Sequence, residues 1–133
     1  MRTLLLLLIL ALANAAPAQV IDLPAEVVEG EPVPVKVRDL RPGDKIELQI
    51  RRITSTGIRT DSRSVFAVGP DGAIDPARDP AIDGDYAGVD ASGPFWSMRP
   101  GARSTSELGT LRLQVRSGER LLTERTVPLR AMA

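Results

Sequence analysis

Five aspartates crowd a short stretch near the middle of the 133-residue chain: Asp75, Asp79, Asp83, Asp85 and Asp90. Hard cations such as Ca²⁺ take several carboxylate oxygens from one loop, so Asp79, Asp83, Asp85 and Asp90 are candidate calcium ligands. An EF-type count that starts at Asp79 places Asp90 at position twelve but leaves Ala81 where a ligand is required. Asp-Pro and Asp-Gly are also turn dipeptides, in which the carboxylate caps its own turn. We favour this turn interpretation and predict no metal and no other cofactor.

Catalytic chemistry is restricted by the absence of His and Cys from the sequence. A Ser-His-Asp or Cys-His arrangement, a thiolate or imidazole zinc site and a disulfide all need one of these residues. Ser97 follows the single Trp, but nothing in the chain could activate it as a nucleophile. Asp83 and Asp85 could form a carboxylate pair, although acids beside Gly more often form turns. We predict no catalytic residue and do not expect the chain to be an enzyme by itself.

Charge gives little sign of a nucleic-acid or membrane partner, because 17 cations balance 17 anions. Positive charge does gather near the C-terminus, where seven arginines face few acids: Arg99, Arg103, Arg112, Arg116, Arg120, Arg125 and Arg130. No aromatic stacking platform accompanies them, so we predict no nucleic-acid binding. Solvated strands paired with acidic segments of the same domain are the favoured interpretation, and an anionic partner is the alternative.

The N-terminus has the pattern of a secretory signal peptide. Arg2 precedes an unbroken apolar run from Leu4 to Leu12, and small residues follow it. That run is about half the roughly 20 residues that a transmembrane helix needs. We therefore predict a signal peptide over residues 1–18, cleaved after Ala15 or Ala18, and a protein that is exported to the periplasm or secreted with no stable membrane anchor after cleavage. An uncleaved anchor is the alternative.

Residues 19–133 read as short strands rather than helices. Apolar residues alternate with polar ones at 33–37, at 46–50 and at 111–115, which is typical of antiparallel strands with one buried face. Residues 65–68 and 127–129 are weaker strand candidates, and Ser117-Gly118 predicts the turn of a final hairpin with arms 110–116 and 119–129. Pro32 and Pro34 mark an edge strand. The pattern predicts an all-β, immunoglobulin-like antiparallel β-sandwich of about seven strands.

Three of the four aromatic residues lie in a Pro-, Gly- and Asp-rich segment at 69–106. Long irregular segments in compact domains are usually functional or form an interface. We expect Phe95 and Trp96 to fill the sandwich core or cover its end. Tyr86 follows Asp83-Gly84-Asp85 and is a candidate tyrosine corner, in which the hydroxyl bonds to nearby backbone. A docking surface for another domain is the alternative.

This same segment resembles a family signature, Tyr-x-Gly-Val-Asp followed by Trp-Ser-Met-x-Pro, of the N-terminal domain of the acyl-CoA thioester hydrolase and bile acid-CoA:amino acid N-acyltransferase family. Ten positions match: Gly84, Tyr86, Gly88, Val89, Asp90, Gly93, Trp96, Ser97, Met98 and Pro100. Residues 37–44 and 64–75 are similar to two further stretches of the family. The resemblance covers about residues 20 to 130, and we interpret the matched positions as structural or docking residues.

The resemblance implies an Ig-like sandwich that precedes an α/β-hydrolase domain with a Cys or Ser nucleophile, Asp and His. In the family, that second domain cleaves acyl-CoA thioesters or transfers the acyl group to an amino acid. None of its catalytic residues has a counterpart here, because the sequence ends about where that domain would begin. An exported chain would also not meet CoA thioesters, which are cytosolic or organellar.

Three hypotheses follow. The first is an exported, non-catalytic interaction module. The second is an accessory part of a split thiolester hydrolase or acyltransferase, which docks a separate hydrolase chain through residues 90–100. The third is a calcium-dependent binding module.

Overall fold

The computed structural model describes residues 18–132, so the predicted signal peptide lies outside the described residues apart from Ala18. Within this range the chain forms nine strands and one helical turn. They are β1 (Val20–Asp22), β2 (Val27–Val28), β3 (Lys36–Arg38), β4 (Lys45–Ile53), β5 (Arg59–Ala67), β6 (Asp83–Gly84), α1 (Gly93–Trp96), β7 (Arg99–Pro100), β8 (Thr110–Ser117) and β9 (Arg120–Arg130).

Strand β4 forms because its apolar residues recur at every second position. Ile46, Leu48 and Ile50 are buried, and Glu47 and Gln49 alternate with them on the other face. On the buried face Leu48 lies opposite Ser64 of β5 and Val115 of β8. Burying a side chain of this size stabilises a fold by about 1.5–3 kcal/mol relative to exposure, so alternation of this kind fixes the register of the sheet.

Strand β5 is longer than the sequence predicts, since only residues 65–68 were expected to be extended. Its inward positions include Ser62 and Ser64, and these two serines conceal the period of two. The Ser62 hydroxyl donates a 2.6 Å hydrogen bond to the carbonyl of Pro94. A buried polar residue in the strand therefore holds the segment around α1 against the sheet.

The predicted C-terminal hairpin is confirmed: β8 and β9 pair antiparallel from Thr110↔Pro128 to Ser117↔Arg120. Gly118 takes the turn with φ of 60°, a conformation that favours glycine. A register shift between Val115 and Arg116 marks a bulge, and bulges of this kind increase the local strand twist.

Seven strands form one curled sheet in the order β2-β9-β8-β4-β5-β6, and β7 pairs with the opposite end of β5. All neighbours are antiparallel except β2 and β9, which run parallel with Val27 opposite Leu129. The predicted all-β sandwich is confirmed. The sheet differs from the predicted purely antiparallel arrangement only in the parallel pairing of β2 with β9 within the described residues.

The second layer consists of the β1–β3 pair together with the segment around Ile74, which bridges to Val37. The predicted strand over residues 33–37 is shorter than expected and begins only at Lys36. Pro32 and Pro34 explain the difference, because neither can donate to a ladder. Ile21, Val37 and Ile74 from this layer pack with Ile46, Phe66 and Leu113 of the large sheet to form the core.

Residues 86–98 form a folded segment over the β5 side of the sheet, with α1 at its centre. The sequence pattern predicts no helix here, and the helical turn begins at Gly93 with Pro94 in its first turn, a position that suits the fixed φ of proline. Among residues 18–132, no helix has the length and apolar character needed to cross a bilayer.

Candidate functional site

Tyr86 anchors the signature segment to the sheet. Its side chain is buried, with 7% exposed, and its ring lies against the backbone of Gly93. The Tyr86 hydroxyl is buried without a hydrogen-bond partner in the described part of the chain, so the backbone bond expected of a tyrosine corner is not formed. Burial, followed by the nearby Asp90 carboxylate, raises the pKa of Tyr86 to about 12.

Asp90 fastens the turn that leads into α1. Its Oδ1 accepts from the amide of Ser92 at 2.9 Å, and its carbonyl accepts from the amide of Gly93 at 3.0 Å. Its Oδ2 accepts from the indole Nε1 of Trp96 at 2.8 Å. One carboxylate therefore holds both the helical turn and the aromatic ring in place.

Trp96 lies on the surface, with 63% of the residue exposed. Of the two expected positions, in the core or over its end, the position in the core is therefore wrong for Trp96. Only Phe95 of this pair packs against the core, and it does so partly. The Trp96 ring lies 6.1 Å from the Tyr86 ring at an interplanar angle of 57°. Asp90 and Tyr86 fix the orientation of the indole and leave much of it facing solvent, which is the geometry of an interface anchor.

A groove of about 360 Å³ borders Trp96, and we call it the Trp96 groove. Its lining includes Val28, Glu29, Val33, Arg52, Phe95 and Trp96. The half-buried Arg52 donates from Nε to Thr60 Oγ1 at 3.3 Å and has no carboxylate within ion-pair distance among residues 18–132. The groove thus combines an aromatic edge with a cation that a partner could meet.

The remaining signature residues shape the backbone around these anchors. Gly84 has a positive φ of 107°. A Cβ at this position would collide with the Arg63 carbonyl oxygen and would lie only 2.8 Å from the Cα of Ser64. Gly88 also has a positive φ, of 88°. Met98 and Pro100 attach the end of the signature segment to β5. The Thr60 hydroxyl donates to Met98 Sδ at 3.5 Å, and Thr60 pairs with Pro100 of β7.

Ser97 is buried and its hydroxyl makes no hydrogen bond within the described range. Ser97 therefore packs within the signature segment, with its side chain turned away from solvent.

The four candidate calcium ligands have separate partners. Asp79 accepts from Arg78 at 3.0 Å, which lowers the pKa of Asp79, and from the amide of Asp75 at 2.9 Å. Asp83 accepts from the amide of Gly84 at 2.8 Å, and Asp85 from the amide of Arg63 at 2.8 Å. Asp90 holds the turn and Trp96, as described above. No group of three acidic residues that could hold a metal occurs within 18–132, and these carboxylates act as turn and ion-pair acceptors.

Several of the C-terminal arginines have acidic partners in the same domain. Arg130 lies 2.8 Å from Glu26, Arg112 lies 3.5 Å from Glu107, and Arg99 lies 3.6 Å from Asp85. These three contacts are of the kind expected for solvated strands paired with acidic segments of the same domain.

Comparison with known proteins finds one family model and two curated relatives. The family model is described as the acyl-CoA thioester hydrolase/BAAT N-terminal region and matches residues 30–127, which include the whole signature segment. The chain is 31% identical over 83 residues to bile acid-CoA:amino acid N-acyltransferase of Mus musculus, covering 62% of the chain and 20% of that protein. It is 30% identical over 70 residues to acyl-coenzyme A thioesterase 1 of Rattus norvegicus, covering 53% and 17%. The matched segments thus span a fifth or less of each of these relatives.

Proposed function

The chain belongs to the acyl-CoA thioester hydrolase/BAAT N-terminal region family, and from that premise we propose that it is an exported, non-catalytic interaction module that docks a partner protein through Trp96. The single observation that carries this proposal is the exposure of Trp96 while Asp90 and Tyr86 hold its ring in one orientation. A large aromatic side chain with a fixed orientation loses little conformational freedom on binding, which is why Trp is frequent among interface hot spots.

The chemistry of the residues supports a role in binding rather than in catalysis. The sequence contains neither His nor Cys, and the signature serine, Ser97, is buried. The Trp96 groove instead offers apolar walls and Arg52, a half-buried cation without an acidic partner among residues 18–132. Glu29 and Glu31 line the groove as well as Arg52, so its charge does not select an anionic partner. A partner with an apolar side chain that packs beside Trp96 fits this surface.

Export is part of the proposal and depends on the apolar run from Leu4 to Leu12 and the small residues after it. N-terminal sequencing of the protein recovered from the cell envelope and the medium tests this part. A mature N-terminus directly after Ala15 or Ala18 supports export. Recovery of the chain from the cytosol with residues 1–18 intact contradicts it.

Docking is tested by placing a photo-crosslinking residue at position 92 in the full chain, where the exposed Ser92 lines the Trp96 groove and Trp96 itself is kept, and irradiating intact cells. We expect one defined protein to crosslink there, and none at position 121, where Leu121 is also exposed but lies outside the signature. Trp96→Ala should abolish crosslinking and co-purification of this protein, whereas Leu121→Ala should leave both intact. The docking proposal fails when positions 92 and 121 give the same result.

The second candidate function is an accessory part of a split thiolester hydrolase or acyltransferase. It is favoured by the two relatives, whose names describe these activities and of which the matched segments span a fifth or less. In this case the partner at Trp96 is a separate hydrolase chain. Acyl-CoA turnover that requires both chains and is lost with Trp96→Ala supports the split-enzyme function. A crosslinked partner without hydrolase activity rejects this function but leaves the docking proposal intact.

A further inference from the structure

The lining of the Trp96 groove carries more negative than positive charge. Among its described residues, Glu29 and Glu31 are the acids and Arg52 is the one cation. Neither glutamate has a cation within ion-pair distance among residues 18–132. Arg52 is half-buried on β4, where its Nε donates to Thr60 Oγ1 at 3.3 Å. One carboxylate of the lining is therefore left without a counter-charge.

A hydrogen-bonded turn holds the two glutamates at the groove. The amide of Glu29 donates to the carbonyl of Arg130 at 2.9 Å, and the amide of Glu31 donates to the carbonyl three residues earlier at 3.1 Å. Gly30 lies between them with φ of 84°, a value that suits glycine in such a turn. The guanidinium of Arg130 lies 2.8 Å from Glu26, so its charge already has a partner. The turn therefore presents both carboxylates from a fixed backbone.

The exposed indole of Trp96 has a negative charge directly beside it. Asp90 does not line the groove, but its Oδ2 lies 2.8 Å from the indole Nε1. The other carboxylate oxygen accepts from the amide of Ser92, so both partners of Asp90 are neutral and its charge is not offset by them. Cations are attracted to the face of an aromatic ring, most strongly to that of Trp. A carboxylate next to the ring makes the potential at its face more negative.

We propose that the Trp96 groove binds an arginine side chain of the partner protein. This inference rests on the docking function proposed above and names the chemistry that the partner brings. The flat guanidinium lies on the exposed face of Trp96, and its N–H groups donate to the carboxylates of Glu29 and Glu31. A lysine ammonium carries the same charge but cannot stack as a plane, so it fits this surface less well. Apolar neighbours of the arginine pack against Val33 and Phe95, which also line the groove.

Fluorescence titration of the full chain with the peptide acetyl-Leu-Arg-Leu-amide tests this inference. Trp96 is the single tryptophan of the chain, so its emission reports the groove directly. We expect a saturable change at peptide concentrations up to about 10 mM. The same peptide with citrulline in place of arginine has nearly the same shape without the charge, and it should bind about fivefold more weakly. Equal binding of the two peptides, or no saturable change with the arginine peptide, overturns the proposal.

Variants of the acidic residues separate local charge from fold. Glu29→Gln combined with Glu31→Gln should weaken binding of the arginine peptide about fivefold, as for two partly exposed ion pairs, and leave binding of the citrulline peptide unchanged. Glu119→Gln removes a carboxylate from the exposed hairpin turn outside the groove and should change neither. Equal effects of the two changes contradict the proposal, and the melting temperature of each variant shows that it is folded.

Two further measurements identify the group that the groove recognises. Trp96→Leu keeps an apolar side chain but removes the ring, and calorimetry should then show a smaller preference for arginine over citrulline. Tetramethylammonium should compete less well than acetyl-arginine-amide, and stronger competition would reject arginine in favour of a quaternary ammonium ligand.

Failure of this inference can be told apart from failure of the docking proposal. A protein crosslinked at position 92, together with equal binding of the two peptides, rejects the arginine and leaves docking intact. Preference for the arginine peptide without any crosslinked protein rejects docking and supports recognition of a guanidinium by the groove.

Discussion

The ring of Tyr86 occupies the space in which any residue other than glycine at position 93 would place its Cβ. A Cβ built on Gly93 lies 2.5 Å from Cζ and 2.6 Å from Cδ2 of that ring. Tyr86 is buried and cannot move aside without disturbing the core. We therefore expect Gly93→Ala to lower the free energy of unfolding by about 1–3 kcal/mol, the usual effect of overpacking, as measured by urea denaturation.

Gly69→Ala is the control for this substitution. A Cβ at Gly69 meets only Asp71, at an ordinary contact distance of 3.6 Å. Its effect should stay within about 0.5 kcal/mol, as for surface changes in general. Should Gly93→Ala prove equally mild, the ring and the glycine backbone are not in contact in solution.

The second prediction concerns the titration of Tyr86, the single tyrosine of the chain, so that absorbance at 295 nm reports it alone. In the folded protein the pKa should be about 12, because burial and the Asp90 carboxylate disfavour the phenolate. In urea it should return to about 10. Because the folded pKa lies above the unfolded one, the unfolded state loses its proton first and stability falls as the pH rises from 10 towards 12. The stability of Tyr86→Phe should not show this fall between pH 10 and 12. A pKa near 10 in the folded parent would contradict the prediction, because it would show that the hydroxyl is exposed to water.

The third prediction concerns Asp90, which accepts from both Ser92 and Trp96. Asp90→Ala removes both bonds, and we expect a loss of about 1–2 kcal/mol in the free energy of unfolding. Trp96 is the single tryptophan, and its fluorescence anisotropy should fall because the indole is released. Asp83→Ala is the matched control, since the Asp83 carboxylate accepts only from its neighbour Gly84. An unchanged anisotropy in Asp90→Ala would show that Tyr86 alone fixes the ring.

The fourth prediction concerns Asp61, which lies 2.7 Å from Arg51 and 2.8 Å from Arg59 on the outer face of the sheet. Desolvation raises the pKa of Asp61, but the hydrogen bonds from the two arginines outweigh it, so the pKa is lowered. The resulting stability is present above the unfolded value near 3.8 and is lost as the pH falls below it. Asp61→Asn should therefore cost about 1 kcal/mol at neutral pH, a modest figure because a third of the side chain is exposed.

The difference between these two proteins should shrink as the pH falls below 3.8, the ordinary pKa of this carboxyl, because the unfolded parent then gains a proton that the folded protein resists. Glu119→Gln, at the exposed hairpin turn, is the control, since it also removes one carboxylate but no side-chain ion pair among residues 18–132. Equal destabilisation by Asp61→Asn at neutral pH and at the lowest pH measured would mean that packing, and not charge, accounts for the loss.

Sequence patterning was sufficient for strands whose buried face is uniformly apolar. Strands β4 and β8 are of this kind, and their alternation predicts which face is buried, although β4 runs over Lys45–Ile53 and so extends beyond the predicted residues 46–50. Strand β5 was largely missed because Ser62 and Ser64 occupy inward positions, and their hydroxyls interrupt the apolar period. Local patterns also cannot show the parallel pairing of β2 with β9, which joins residues far apart in the chain.

At the site, the signature residues Tyr86, Asp90 and Trp96 lie together, but the signature does not show how exposed each of them is. Hydrophobicity predicts that Trp96 lies in the core or over its end, since aromatic side chains are usually buried. The deciding contact is the bond from its indole to Asp90, six residues earlier, which depends on how the turn closes in three dimensions. The cavity of about 830 Å³ beside the β1–β3 pair was not predicted at all, because Lys36, Pro76 and Arg125, which line it, meet only in the folded state.

The pairing of Val27 with Leu129 has a consequence for the order of folding. The β8–β9 and β4–β5 pairs each join consecutive strands through a short loop. Strand β2 instead pairs with a strand about a hundred residues later in the chain, and such a long loop closes more slowly. While the chain emerges from a ribosome or a channel, β2 has no partner until β9 is free. Pulse-labelled hydrogen exchange should therefore show the amide of Glu29, which bonds to Arg130, gaining protection after the hairpin amides. The edge of the sheet at β2 thus stays unpaired, and accessible to proteases, until β9 has been made.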